Sequence, residues 1–225
     1  MSAAILTPLL LTFQIAAIAT VLALFFGVAM AALLARGKGF LRDLIEAVLT
    51  LPLVLPPTVL GYYLLVLLGR EGLVGIWLQQ FGIHLIFTTT GAVIAAGVVA
   101  FPMVLRAARA AFADVDPQLE NAACTLGANP LAVFLGITLP LAWRGVMAGA
   151  LLAFARAMGE FGATLMVAGS LPGRTQTLSL AIYEAVMAGD DTQAHTLVLA
   201  ALASSFLILL LAAQLLQRAP RQRSA

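Results

Sequence analysis

The sequence predicts an all-α integral membrane protein with about five transmembrane helices, its N-terminus outside and its C-terminus in the cytoplasm. Three observations carry this expectation. Of 225 residues, 62% are hydrophobic and only 10% charged, where soluble domains carry roughly a quarter charged; the mean hydropathy is +1.05. Five apolar stretches, about 9–34, 44–69, 86–105, 145–169 and 196–217, each match the roughly 20 residues needed to cross a bilayer. Nine of the twelve basic residues fall on one side of that layout, which marks the side as cytoplasmic. No loop has room for a large soluble domain, so residues 1–225 read as a single transmembrane unit.

The first stretch has no Lys or Arg ahead of it, so it reads as a first span rather than a cleaved leader with a basic start. Arg36, Lys38 and Arg42 follow at once, and place its C-terminal end in the cytoplasm. The second stretch contains Pro52, Pro56 and Pro57. Each proline removes a backbone donor and collides with the preceding turn, so this span must bend or unwind. The freed carbonyls are tolerable only inside protein or beside water. Two readings stand, a packing kink and a break that lines a pathway. Gly61, Tyr62 and Tyr63 follow as lining or packing residues. Arg70 to Leu85 is expected to be an external loop with Trp77 as an interfacial anchor.

The third span ends inward at Arg106 and Arg109. Within the fourth, Gly145 and Gly149 mark a face that another helix can approach closely. Arg156 and Glu160 then place opposite charges at i and i+4 inside the membrane region, where charges are costly and usually paired. They read either as an ion pair tying the helix to a neighbour or as part of an anion pathway. Ser170 to Asp191 is external; Leu178–Met187 is a short helix, too short to span, that lies at the surface or dips inward. The fifth span is followed by Arg218, Arg221 and Arg223. Only Arg70 and Arg174 fall outside.

Between spans three and four lies the clearest polar interruption, about 113–140. Asp116 caps a helix with Pro117 at its first position, where a missing N–H costs nothing. Gly127 stops it in a conformation with positive φ. Asn129 and Pro130 repeat the start signal. A short helix from Pro117 to Leu126, a sharp turn and another helix follow from this punctuation. Ala122 and Ala123 give the short helix a small, flat face. It reads as a surface helix or as a docking element.

Several chemistries are excluded. There is no G-x-x-x-x-G-K-[ST], and Lys38 is the only lysine, so the chain has no phosphate-binding loop of its own. H-E-x-x-H and G-x-S-x-G are absent, and His84 and His195 are the only histidines. The single cysteine, Cys124, excludes an internal disulfide and a thiolate cluster. Catalytic, cofactor and metal residues are therefore expected to be none. The net charge of +2 is explained by topology, and no nucleic-acid partner is expected.

The run Asn121-Ala122-Ala123-x-x-x-Gly127, with Ile137-x-Leu139-Pro140 beyond it, resembles the E-A-A-x-x-x-G signature of permease subunits of binding-protein-dependent ABC importers. Asn121 stands where the signature has glutamate, and Glu120 supplies a carboxylate one residue early. The runs Leu51 to Tyr62, Phe101-Pro102, Arg156 to Thr164 and Ala168 to Leu178 look like the molybdate-type permeases. Sulfate and thiosulfate permeases look similar in the loop and the Arg156–Gly162 run, which leaves them as the alternative. The resemblance implies a multi-pass permease in a bacterial inner membrane, working as a homodimer. Its implied partners are two cytoplasmic ATPase subunits, which bind ATP and Mg, and an extracytoplasmic oxyanion-binding protein. The cargo would be molybdate or tungstate. It makes the loop a cytoplasmic coupling helix, with Glu120, Asn121, Ala122, Ala123 and Gly127 as ATPase-coupling residues. An ATP-independent channel or a membrane scaffold is the alternative of another class; neither accounts for the signature.

Overall fold

In the computed structural model the described residues, 3–35 and 39–218, form helices and the short turns between them. Arg36, Lys38, Arg221 and Arg223, which carry part of the topology argument, lie outside the described residues. In chain order the helices are α1 (Ala3–Ala35), α2 (Phe40–Thr50), α3 (Pro57–Leu68), α4 (Leu73–Gln79), α5 (Thr89–Ala113) and α6 (Pro117–Thr125). They continue with α7 (Pro130–Val133), α8 (Leu139–Met158), α9 (Gly162–Ala168), α10 (Leu178–Met187) and α11 (Asp191–Arg218). Among the described residues four helical stretches are long and apolar enough to cross a membrane, or five if α2 and α3 count as one broken span.

Small residues set the packing. Ala16, Ala19 and Ala23 of α1, Ala92, Ala96 and Ala100 of α5, and Ala153 and Ala157 of α8 form one buried cluster. Within lipid, backbones approach closely only where side chains are short, and α5 sits at the centre of this three-helix contact. Gly145 and Gly149 face α5: a Cβ on them would come within 2.4 Å of the Ala111 Cβ and 2.5 Å of the Ala107 Cβ. The outer faces are apolar and exposed, as at Phe25, Leu33, Leu199 and Phe206, which suits lipid contact.

Several boundaries differ from the sequence expectation. The second span is not one rod: a turn of 3-10 helix at Leu51–Leu53 and an extended Pro56 separate α2 from α3, which cross at 108°. Pro52 sits in the 3-10 turn and Pro57 opens α3, each where its lost donor does least harm. The third span, expected over 86–105, runs from Thr89 to Ala113, because the arginines near its end stay on helix. The fourth, expected over 145–169, instead runs from Pro130 to Met158. The gap Gly159–Phe161 ends it, and α9 is a separate short helix. The last turns before α8, Phe134–Thr138, wind as a π-helix. Pro140 lacks the N–H that would bond to Gly136 and would press on that carbonyl, and a wider turn relieves both. The expected external loop from Arg70 holds α4, and the edge-to-face pair Trp77–Phe81 lies on it. Helix α10 has the predicted bounds. Thr12 Oγ1 of α1 accepts its first N–H, from Leu178, at 2.8 Å, so α10 docks against α1.

Candidate functional site

Two polar regions hold the residues singled out by the sequence. The first is the loop between α5 and α8. Asp116 Oδ1 accepts the Gln118 N–H at 2.9 Å, with Pro117 at the first helical position. Helix α6 closes at Thr125, one residue before the predicted end, and Leu126 is the cap. The Ala128 N–H donates to the Ala123 carbonyl and the Gly127 N–H to the Cys124 carbonyl, at 3.1 and 3.0 Å. Together they form a Schellman closure, which requires the left-handed φ of +88° found at Gly127. Asn129 Oδ1 then accepts the Ala132 N–H at 2.7 Å and starts α7. Every stop and start here is made by neighbours in sequence.

Helix α6 buries none of its residues. Asn121, Ala122, Cys124 and Gly127 are exposed, while Glu120 and Ala123 are half-buried. Leu126 stands 88% exposed beside them, so the helix offers solvent a small-residue surface with one large apolar side chain. Glu120 points the other way: its Oε1 accepts a hydrogen bond from Thr138 in the π-helical turn. The predicted coupling residues are thereby split: Asn121, Ala122 and Gly127 turn outward, Ala123 is half-buried and Glu120 faces the bundle.

The second region is the gap between α8 and α9. Arg156 Nη1 donates to Glu160 Oε2 at 2.8 Å. The other carboxylate oxygen accepts the Ala163 N–H at 2.9 Å, so Glu160 also caps α9. Glu160 is 2% exposed, and burying a carboxylate is tolerable only with its partners in place. The Arg156 side chain keeps 31% exposure. Helix α9 packs on α3 at contact distance: a Cβ on Gly162 would lie 2.9 Å from Pro57 Cβ, and one on Gly61 would lie 2.8 Å from Met166 Cβ. The two helix breaks therefore meet. Pro57 and Glu160 belong to one junction, with Pro56 as its extended lead-in. Pro52 lies apart, in an apolar groove with Ala23, Phe26, Val93 and Phe101.

Sequence reasoning passed over an ion pair between Glu46 of α2 and Arg109 of α5. The signal was present, since Glu46 is a carboxylate inside the predicted second span, the same criterion that marked Arg156 and Glu160. Thr138 was passed over as well, and nothing local distinguishes it from other helical threonines.

Comparison with known proteins places this arrangement. The family described as "Binding-protein-dependent transport system inner membrane component" matches residues 23–224. The molybdenum transport system permease protein ModB of Haemophilus influenzae is 47% identical over 188 residues, 83% of this chain and 82% of that protein. ModB of Escherichia coli K12 is 43% identical over 217 residues, 96% of this chain and 94% of that protein. The sulfate transport system permease protein CysW of Synechocystis is 39% identical over 77% of this chain and 63% of its own length. Among solved structures, an inward-facing MetNI methionine ABC transporter superposes with a TM-score of 0.77 at 18% identity, over 98% of this chain and all of that one. A bacterial ABC transporter that imports alginate gives 0.79 at 14% identity, over 98% and 82%. These two share the fold. An α-helical chain built around a broken second span and an exposed loop helix, and matched over nearly its whole length, belongs to the family of binding-protein-dependent transport system inner membrane components.

Proposed function

We infer that this chain is the membrane-spanning permease subunit of an ATP-driven importer for molybdate or its analogue tungstate. The observation that carries this reading is identity of 43% to 47% with molybdenum transport permeases over most of both chains. Two copies form the pathway, with an extracytoplasmic oxyanion-binding protein on one side and two ATPase subunits on the other. The N-terminus lies outside and the C-terminus in the cytoplasm, in keeping with the distribution of basic residues. That orientation puts α6 on the ATPase side. The exposed Asn121, Ala122 and Gly127 and the half-buried Ala123 form the docking surface, and Glu120 steadies it from behind.

ATP and the loaded binding protein each favour one of two arrangements of the helices, because a ligand without differential affinity moves nothing. Broken helices suit such motion, since Pro52, Pro56 and Pro57 leave α2 and α3 joined by a short link. The Arg156–Glu160 pair braces the facing break. A pathway for a dianion is best neutral or mildly positive, so that the cargo is not trapped, and specificity rests with the binding protein. ATP and Mg belong to the ATPase; this chain needs no cofactor.

The test is uptake of labelled molybdate into vesicles holding the permease, its ATPase and its binding protein, with excess sulfate as competitor. Uptake that needs ATP and resists sulfate is expected. Equal competition by sulfate would move the cargo to the alternative favoured by the likeness to CysW, and uptake without ATP would overturn the importer. Cys124, exposed on α6 and the only cysteine of the chain, allows a second test. A thiol-directed photocrosslinker attached there should capture the ATPase.

A further inference from the structure

Helix α6 buries no side chain, so apolar packing does not fix its place against the spanning helices. Behind it lies a cavity of about 250 Å³, bordered by Ala35 of α1, Phe112 of α5, Glu120 of α6, and Phe134 and Thr138 of the π-helical turn. On its border Thr138 donates a hydrogen bond to Glu120. Thr138 is 4% exposed and belongs to a turn seated firmly in the bundle: Phe134 packs edge-on against Phe112, with ring centroids 5.4 Å apart. The same turn runs without interruption into α8, whose far end carries Arg156.

We propose that Glu120 and Thr138 form a clasp that transmits displacement of α6 to α8 through the π-helical turn. A π turn is a rare irregularity that recurs at functional sites, so a displacement of Thr138 enters α8 through the irregular turn at its start. A bond to an ionised carboxylate is about twice as strong as a neutral one, which suits a link that must carry load. Glu120 is thus a positioning residue that faces the bundle, where a docking residue would face the ATPase. The proposal rests on α6 being the ATPase-docking helix.

The test uses the full complex with Thr138→Val, which removes the hydroxyl at nearly constant shape, and Thr138→Ser, which restores it. Two quantities are read: hydrogen exchange of the α6 amides, and molybdate transported per ATP hydrolysed. Thr138→Val is expected to speed exchange across α6 and to lower transport per ATP about tenfold, the factor that a charge-assisted bond of this class commands. Thr138→Ser should recover both. Glu120→Ala should lose at least as much as Thr138→Val, and adding Thr138→Val to it should cost nothing more. Unchanged α6 exchange in Thr138→Val overturns the clasp, as does faster exchange with wild-type transport per ATP. Additive losses in the double variant overturn it too. Failure of the docking reading shows separately, as no capture of the ATPase from Cys124 in the unmutated chain.

Discussion

The α6 loop and the α8–α9 junction are both interruptions of helix, yet they are built in opposite ways. The loop is closed by bonds between residues at most five apart: Asp116 to Gln118, Ala128 to Ala123, Asn129 to Ala132. The junction depends on contacts between distant segments, with Gly162 against Pro57 and Gly61 against Met166, around a carboxylate that is 2% exposed. One is exposed and closed by local bonds, tied to the bundle through Glu120 and Thr138. The other is buried and shared between two helices, so neither can shift without the other. On the proposed importer reading, the first is the handle that is moved and the second the brace that keeps the moving parts in register.

This contrast can be broken most sharply at the junction. Arg156→Ala leaves the Glu160 carboxylate, 2% exposed, without its charged partner, and is expected to cost about 3 kcal/mol, in the range for stranding one member of a buried pair. Unfolding in detergent should show it, and the Arg156→Ala, Glu160→Ala double variant should lose less than the sum of the singles. Simple additivity would mean the two charges are not coupled. Gly162→Val comes next. Its Cβ would press on Pro57, and overpacking of this kind costs about 1–3 kcal/mol; an unchanged melting temperature would show that α3 and α9 can part freely. The smallest effect on stability is expected at the loop. Gly127→Val forces a β-branched residue to φ +88°, a strain of about 1–2 kcal/mol borne by an exposed turn. Insertion and global stability should be near normal, while ATP hydrolysis proceeds without matching transport. Normal coupled uptake in this variant would remove the loop from the mechanism.

The same contrast explains what could be read in advance. The loop was legible nearly to the residue because capping and Schellman closure are local, and Asp116-Pro117, Gly127 and Asn129-Pro130 each announce their own geometry; only the end of α6 moved, from Leu126 to Thr125. The existence of a break at Pro52–Pro57 was legible for the same reason. Its angle of 108° was not, because a missing donor says where a helix can fail and not which neighbour will receive the next segment. The fourth span, Pro130–Met158, starts well before the expected 145–169 and ends short of it. Hydropathy cannot tell Ala163-Thr164-Leu165 of α9 from the continuation of α8, and the separation is made by Glu160, which turns back to bond Arg156 and forward to cap α9. Glu46 and Arg109 were each visible as charges, but their pairing needs α2 laid against α5.

What the sequence determined by itself is everything set by solvent and by near neighbours. A chain 62% hydrophobic and 10% charged has to bury itself in lipid. Its prolines and capping residues decide where helices begin and end, since those preferences act within one turn. What only the tertiary structure decided is which interruptions meet: Pro57 with Gly162, Glu120 with Thr138, Thr12 with the start of α10. Those pairings join residues from 18 to 166 positions apart. They are chosen by close packing of small residues and by the high cost of leaving a polar group unmatched in a low-dielectric interior, and neither force is written at any one position of the chain.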